Sequence, residues 1–253
     1  MRFALLGSGS RGNGMVVEVG GTLLLLDCGF SLVQVKSRLA SLGKRPEDIT
    51  AIVVTHEHSD HVSGVASLAR AYGLPVWATA GTAQAAGLKE LAECRLFDCH
   101  APFAVGEVQA MPFPVPHDAR EPSQFVFGDG ARRLGMLTDV GSLTPHIAQS
   151  LDGCDALVLE CNHDSALLAA GDYPPSLKQR VGGRHGHLNN DQAAELLGKL
   201  NGAKLQHVVA AHLSEKNNRP RLAQQALAAA LGCATDWIAV ADQEQGLAWR
   251  AIL

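Results

Sequence analysis

The sequence is short of several things, and each shortage removes a class of protein. No apolar run reaches the roughly 18 to 20 residues that a bilayer-spanning helix needs. The opening MRFALLGSGSRGNG has no basic stretch followed by an apolar one of signal-peptide length, so a cytoplasmic protein is expected. Six cysteines, at 28, 94, 99, 154, 161 and 233, include no C-x-x-C pair. They do not resemble the dense framework of small secreted domains, which predicts reduced thiols. Aromatic residues make up only 5% and charged ones 18%, against 47% apolar. This balance excludes disordered and collagen-like chains and leaves a globular protein that can bury a large core.

A large positive excess is also missing. The formal net charge is -4, which argues against wholesale coating of a nucleic-acid backbone. The charge is uneven, however: residues 178–221 hold eight Lys/Arg against three acids, a net +5 inside an otherwise acidic chain. Such a segment reads either as a local site for an anionic substrate or as a solvated helix face. No repeat, low-complexity tract or linker divides the 253 residues, so residues 1–253 are expected to form one domain.

Short Val/Leu/Ile-rich runs bounded by Gly, Pro and Asp predict strands over Arg2–Leu6, Met15–Val19, Thr22–Asp27, Ala51–Thr55, Val76–Thr79 and around Val105–Phe113. Further strands are predicted over Gln124–Phe127, Leu134–Thr138, Ala156–Glu160, His207–His212, Trp237–Ala241 and Leu247–Ile252. Gly20-Gly21 and Gly128-Asp129-Gly130 join neighbouring runs as hairpins. Helical patterns lie between them, over Val33–Leu42, Val62–Tyr72, Thr82–Leu88, Leu143–Leu151, Gln192–Asn201 and Arg219–Leu231. Asn190 or Asp191 is the expected cap of the fifth, and Pro220 suits the first turn of the last. Hairpins interspersed with helices suggest two sheets with helices on their outer faces.

The chemistry concentrates in Thr55-His56-Glu57-His58-Ser59-Asp60-His61, between a predicted strand and a predicted helix. In an extended loop His56 and His58 point the same way, while Asp60 and His61 open the helix and turn toward an adjacent position. That spacing supplies two neighbouring metals, and neutral imidazole with carboxylate suits zinc, manganese or iron. Further ligands must come from strand ends, where His117, Asp139 and His212 are the candidates. Histidines 100, 146, 163, 185 and 207 are taken as structural or exposed, with His163 and His185 first among the exceptions.

These residues make the chain resemble metallo-β-lactamase-fold hydrolases over its whole length, specifically the YycJ/WalJ-like branch. The H-x-H-x-D-H motif matches His56, His58, Asp60 and His61; the later motifs match His117 in Pro116-His117-Asp118-Ala119, Asp139 in Thr138-Asp139-Val140-Gly141, and His212. The resemblance implies an α+β fold, a four-layer αββα sandwich with two mostly antiparallel sheets and no β-CASP insertion. It implies one metal on His56, His58 and His117, a second on Asp60, His61 and His212, and Asp139 bridging them. Asp27, in Leu26-Asp27-Cys28-Gly29, would orient a ligand histidine from behind, unless it merely forms a turn.

Paired divalent metals acidify water and neutralise phosphoryl charge, so phosphoester hydrolysis suits this site. Superfamily nucleases add an acid and two histidines after the metal motifs, and Glu160, His187 and His212 match them. His187 reads as a phosphate-binding residue or leaving-group acid, although Asn189 stands where the branch usually has Ser. Asp60 and Glu160 join His187 as catalytic candidates. Arg180, Arg184 and Lys216 are candidate phosphate ligands, because the basic segment surrounds these histidines. Gly7-Ser8-Gly9-Ser10-Arg11-Gly12-Asn13-Gly14 matches G-x-G-x-x-G, but a strand rather than a helix follows, so it is no dinucleotide fingerprint. Ser8, Ser10 and Asn13 either contact phosphate or form a tight turn. Cys28 and Cys161 are packing residues, not nucleophiles.

The expected function is a binuclear metal-dependent phosphodiesterase acting on nucleic acid, a 5′-to-3′ exonuclease on single-stranded DNA or ends, with metal-bridging hydroxide as nucleophile. The alternatives are a cyclic phosphodiesterase or glyoxalase II-like thioesterase on the same scaffold, and a non-catalytic metal-stabilised binding module. No membrane partner is expected, and the oligomeric state is left open.

Overall fold

The computed structural model describes residues 1–253. Its first half contains β1 (Arg2–Gly7), β2 (Gly14–Val19), β3 (Thr22–Leu26), α1 (Leu32–Ser41), β4 (Ala51–Val53), α2 (Ser59–Val62), α3 (Val65–Tyr72), β5 (Val76–Ala78), α4 (Ala80–Ala85) and β6 (Cys94–Leu96). Then follow β7 (Phe103–Val105), β8 (Val108–Pro114), β9 (Ser123–Gly128), β10 (Arg133–Leu137), α5 (Pro145–Leu151), β11 (Ala156–Glu160), α6 (Ser165–Ala170) and α7 (Pro175–Val181). The chain closes with α8 (Asn190–Lys199), β12 (His207–Ala211), α9 (Pro220–Leu231), β13 (Ala239–Val240) and β14 (Leu247–Ala251). No helix is long and apolar enough to cross a membrane.

Alternation along the strands builds the layers. In β1, Phe3 and Leu5 face an interior shared by both sheets, where they meet Phe125, Phe127, Val158 and Val209. Ala4 and Leu6 face the other way and pack with Val35 and Leu39 of α1 and Leu68 of α3. On the second sheet, Leu157, Leu159, Val208 and Ala210 face outward onto α5, α8 and α9 through Ile147, Leu196 and Leu227. The result is the expected four-layer αββα sandwich. All six cysteines are unpaired, as their spacing predicts.

The sheets are not mostly antiparallel. Each has seven strands, in the orders β14-β1-β2-β3-β4-β5-β6 and β13-β12-β11-β10-β9-β8-β7. In the first, pairing is antiparallel from β14 to β3 and parallel from β3 to β6. In the second it is antiparallel from β7 to β10 and parallel from β10 to β13. Parallel neighbours need a crossover, and α1, α3, α4, α5, α8 and α9 each lie in one. The consequence is functional: the carboxyl ends of β3, β4, β10, β11 and β12 converge on one edge, where loops from both sheets meet.

Local differences from the sequence reading have local causes. The expected helix over Val62–Tyr72 is two helices broken after Val62, because the chain passes close to Phe30 at Gly64: a Cβ there would fall on the Phe30 carbonyl oxygen. The strands Cys94–Leu96 and Phe103–Val105 and the helices α6 and α7 are too short to carry a periodicity. Thr235–Trp237 is a 3-10 turn, leaving only Ala239–Val240 as strand. The cap of α8 is Asn189, whose side chain accepts from the Gln192 N–H in a capping box, not Asn190 or Asp191. Pro220 does open α9.

Gly29 joins the first sheet to the metal-motif helix. A Cβ at this position would fall on the Asp60 carbonyl oxygen, which already accepts the Asn13 N–H at 2.8 Å. Gly29→Ala is therefore expected to displace α2 and to destabilise by about 1–3 kcal/mol through overpacking. A thermal melt with metal analysis checks this; unchanged melting and unchanged metal content would refute it.

Candidate metal centre

The site forms where the converging strand ends release their loops. Asp27 follows β3, Thr55 to His61 follow β4, His117 follows β8, Asp139 follows β10, Glu160 ends β11 and His212 follows β12. Only three non-glycine residues adopt positive φ, and all belong here: Asp27 at 58°, Asp139 at 57° and His212 at 54°. Left-handed backbone at a residue with a Cβ costs on the order of 1 kcal/mol or more, so surrounding contacts must hold each turn. At His212 the backbone N–H donates to Ser8 Oγ at 2.7 Å and the carbonyl accepts from the Asn162 amide at 3.1 Å.

Hydrogen bonds to acceptor-only partners set which imidazole nitrogen carries the proton. His61 Nδ1 donates to Asp27 Oδ2 at 2.8 Å, His117 Nδ1 to the Gly186 carbonyl at 3.1 Å, and His58 Nε2 to the Asp118 carbonyl at 3.2 Å. Thr55 Oγ1 donates to Asp27 Oδ2 at 2.8 Å and thus accepts from His56 Nδ1 at 2.9 Å. The lone pairs of His56 Nε2, His58 Nδ1 and His117 Nε2 are then left to face the centre, and that of His61 Nε2 accepts from the Asn13 amide at 3.1 Å.

Possible ligand atoms gather into four groups, within each of which all lie within 4.8 Å: His56, His58 and His117; Asp60, His61 and His212; His56, His61 and Asp139; and Asp139, Glu160, His187 and His212. Within them His58 Nδ1 is 3.3 Å from His117 Nε2, and His61 Nε2 is 3.1 Å from Asp139 Oδ2. His212 Nε2 lies 3.5 Å from Asp60 Oδ2 and 3.6 Å from Asp139 Oδ1. His56 Nε2, Asp139 Oδ2 and His212 Nε2 are buried without a hydrogen-bond partner in the protein. Unpaired buried polar atoms are costly and rare, and three of them converging with hard and borderline donors fit divalent cations.

Burial and the facing carboxylates set the electrostatics: burial disfavours the cations of His61 and His212, but Asp139, with Asp27 at His61 and Asp60 at His212, outweighs it and raises both imidazoles. Burial and the neighbouring His61 push His56 well below the usual imidazole range, so it stays a neutral donor. Burial would raise the carboxyls of Asp60 and Asp139, but the surrounding imidazoles hold both far down and keep them ionised. Burial also drives the Cys28 thiol up to about 12, which rules it out as a nucleophile at neutral pH.

A cleft of about 390 Å³ opens above the cluster, lined among others by Ser10, His58, Asp60, Asp118, Asp139, Arg180, His187 and His212. His187 donates from Nδ1 to Glu160 Oε1 at 2.8 Å and stacks on His212 with ring centroids 5.3 Å apart. Burial disfavours its cation, but the Glu160 carboxylate outweighs burial and lifts the imidazole to about 9.

Several expected roles change. Glu160 is fully buried and does not line the cleft; its second oxygen accepts the N–H groups of Val140 at 3.0 Å and Leu188 at 3.1 Å. It is a positioning residue for His187. Ser8 and Asn13 are buried and already engaged, Ser8 with His212 and Asn13 with Gly9 and Asp60, so neither is free for phosphate. Arg184 and Lys216 lie outside the cleft lining; Lys216 Nζ sits over the Tyr173 ring at 5.5 Å. Asn189 caps α8 through its side-chain oxygen, a role that a Ser hydroxyl would fill equally well. His163 is buried and His185 exposed, neither in a ligand group.

Asp118, Leu177 and Val181 line the cleft without having been singled out. Only Asp118 carried a signal, as the carboxylate directly after a ligand histidine. The relay through Thr55 and the support from Asn162 had none, since both depend on contacts across the fold.

Two mixed sheets meeting at a His/Asp centre define a metallo-β-lactamase-fold protein. The β-lactamase superfamily domain profile matches residues 22–212, and the chain belongs to that superfamily, in its YycJ/WalJ-like branch. It is 34% identical over 232 residues to exodeoxyribonuclease WalJ of Streptococcus pneumoniae, spanning 89% of this chain and 86% of that protein. It is 35% identical over 237 residues to exodeoxyribonuclease YycJ of Bacillus anthracis, spanning 91% and 89%. The crystal structure of the metallo-β-lactamase fold protein YhfI from Bacillus subtilis superposes with a TM-score of 0.76 over 99% of both chains, at 17% identity.

Asp27→Ala removes the acceptor behind both His61 and Thr55. Metal affinity is expected to fall about 10- to 100-fold. Chelator competition on the folded variant measures it, and wild-type affinity would show that Asp27 only shapes a turn.

Proposed function

We propose that this protein is a cytoplasmic, binuclear metal-dependent exodeoxyribonuclease that removes nucleotides from 5′ ends of single-stranded DNA, with residues 1–253 working as one unit. The observation that carries it is the pairing of a ligand cluster at the cleft floor with two basic side chains, His187 and Arg180, on its walls. The exodeoxyribonuclease relatives support the choice of DNA.

His56, His58 and His117 would hold one divalent cation and Asp60, His61 and His212 the other, with Asp139 between them; zinc, manganese and iron all suit these donors. Such cations supply charge neutralisation at phosphoryl oxygens and acidify water. The chain supplies the rest. Arg180, with its side chain 64% exposed, offers its guanidinium to a phosphate, and Ser10 offers a hydroxyl from the opposite loop. His187, held by Glu160, presents a proton at Nε2 to a phosphate oxygen or to the departing 3′ oxygen. Asp60 Oδ2 lies near both His61 and His212, where it orients the attacking water as well as serving as a ligand.

Asp139→Ala should lose metal and nuclease activity together, measured as nucleotide release from 5′-labelled single-stranded DNA by protein reconstituted with manganese, zinc or magnesium. Turnover without bound metal would sink the proposal. His187→Gln should lower kcat roughly 10²- to 10⁴-fold, the usual contribution of a general acid, at unchanged metal content. An unchanged kcat would remove His187 from the chemistry.

A further inference from the structure

The cleft's two cation-bearing and ligand-bearing walls are joined by one side-chain contact that the proposed chemistry does not use. Arg180 Nε, on α7, donates to Asp118 Oδ2 at 2.7 Å, between residues 62 positions apart. The other oxygen, Asp118 Oδ1, lies 3.5 Å from His117 Nε2 and 3.8 Å from His58 Nε2. A carboxylate thus spans the distance from the first ligand group to the guanidinium. That is the space an incoming phosphate must cross to touch both.

Neither wall needs this pair to stay in place. The Asp118 backbone is fixed by its N–H to the His185 carbonyl at 3.0 Å and by its carbonyl from His58. The end of α7 is fixed by the His187 N–H to the Val181 carbonyl at 2.8 Å and by Lys178 Nζ to the Ala169 carbonyl at 2.6 Å. The Arg180 side chain makes no other hydrogen bond, so its terminal nitrogens stay free to meet a ligand. The pair is also half-open to water, at 64% exposure for the Arg180 side chain and 32% for Asp118. Ion pairs so exposed shift an equilibrium by only about two- to fivefold, so a phosphate with further contacts can displace the carboxylate.

We propose that Asp118 is a specificity-determining residue: its carboxylate occupies Arg180 in the free cleft and competes there with the phosphates of substrate and product. The idea rests on phosphate as the cleft's ligand. A polynucleotide, which gains contacts along its length, overcomes this competition. A mononucleotide product does not, and Asp118 retaking Arg180 favours its release.

The test sets opposite signs against each other. In metal-loaded protein, Asp118→Asn should lower KM for bis-p-nitrophenyl phosphate and the Kd of thymidine 5′-monophosphate two- to fivefold, whereas Arg180→Gln should raise both. In the double variant the Asp118→Asn gain should vanish, because it acts through Arg180. Circular dichroism and metal content confirm that each variant is intact, and Asp118→Ser replaces Asp118→Asn if the latter loses metal. Parallel losses from Asp118→Asn and Arg180→Gln would mean the pair only braces the walls. A gain that persists in the double variant would mean direct repulsion; either result, or no change, overturns the proposal. Kd for the nucleotide and KM for the small ester are read without DNA, so failure of the nuclease reading is recorded separately.

Discussion

One buried carboxylate governs the geometry of the metal centre. Asp27 is 2% exposed and receives the His61 Nδ1 proton directly, the Thr55 hydroxyl proton, and the Thr55 N–H at 2.8 Å. Through Thr55 it also orients His56, so one residue sets imidazoles in both ligand groups. In a low-dielectric interior a fully satisfied network of this kind is stiff, and the loss of any member exposes another to an unpaired burial. The backbone at Asp27 is itself left-handed, with φ at 58°.

The mixed pairing of the sheets turns that network into a site. An all-antiparallel arrangement would send alternate strand ends to opposite edges. Here the parallel halves of both sheets deliver ligands to one edge, and the reversal from β8 through β9 to β10 brings His117 there too. The ligand-bearing turns are strained, the surrounding sheets are well packed, and the stability of the sandwich sustains the local cost.

Much of this was legible beforehand. The H-x-H-x-D-H segment concentrates its ligands within six residues, and local spacing suffices to read it. His117, Asp139 and His212 were legible as polar residues at the ends of apolar strands. The phosphate-binding assignments were less legible, because a hydroxyl or amide in a glycine-rich loop has the same local signature whether it faces a cleft or the protein. Ser8 and Asn13 face the protein. Sequence proximity to His212 likewise placed Lys216 nearer the cleft than the fold does, since four residues of loop are enough to leave it.

The sequence by itself determined the alternation that makes two sheets with helices outside and the set of His and Asp side chains that the candidate metal centre gathers. These depend on residue type and short-range period. The tertiary structure alone decided the parallel pairing, the demotion of Glu160 from the cleft to a buried support for His187, and the contact between Asp118 and Arg180. Each joins residues far apart in the chain, and its energy depends on distance, burial and direction, which exist only once both sheets are packed.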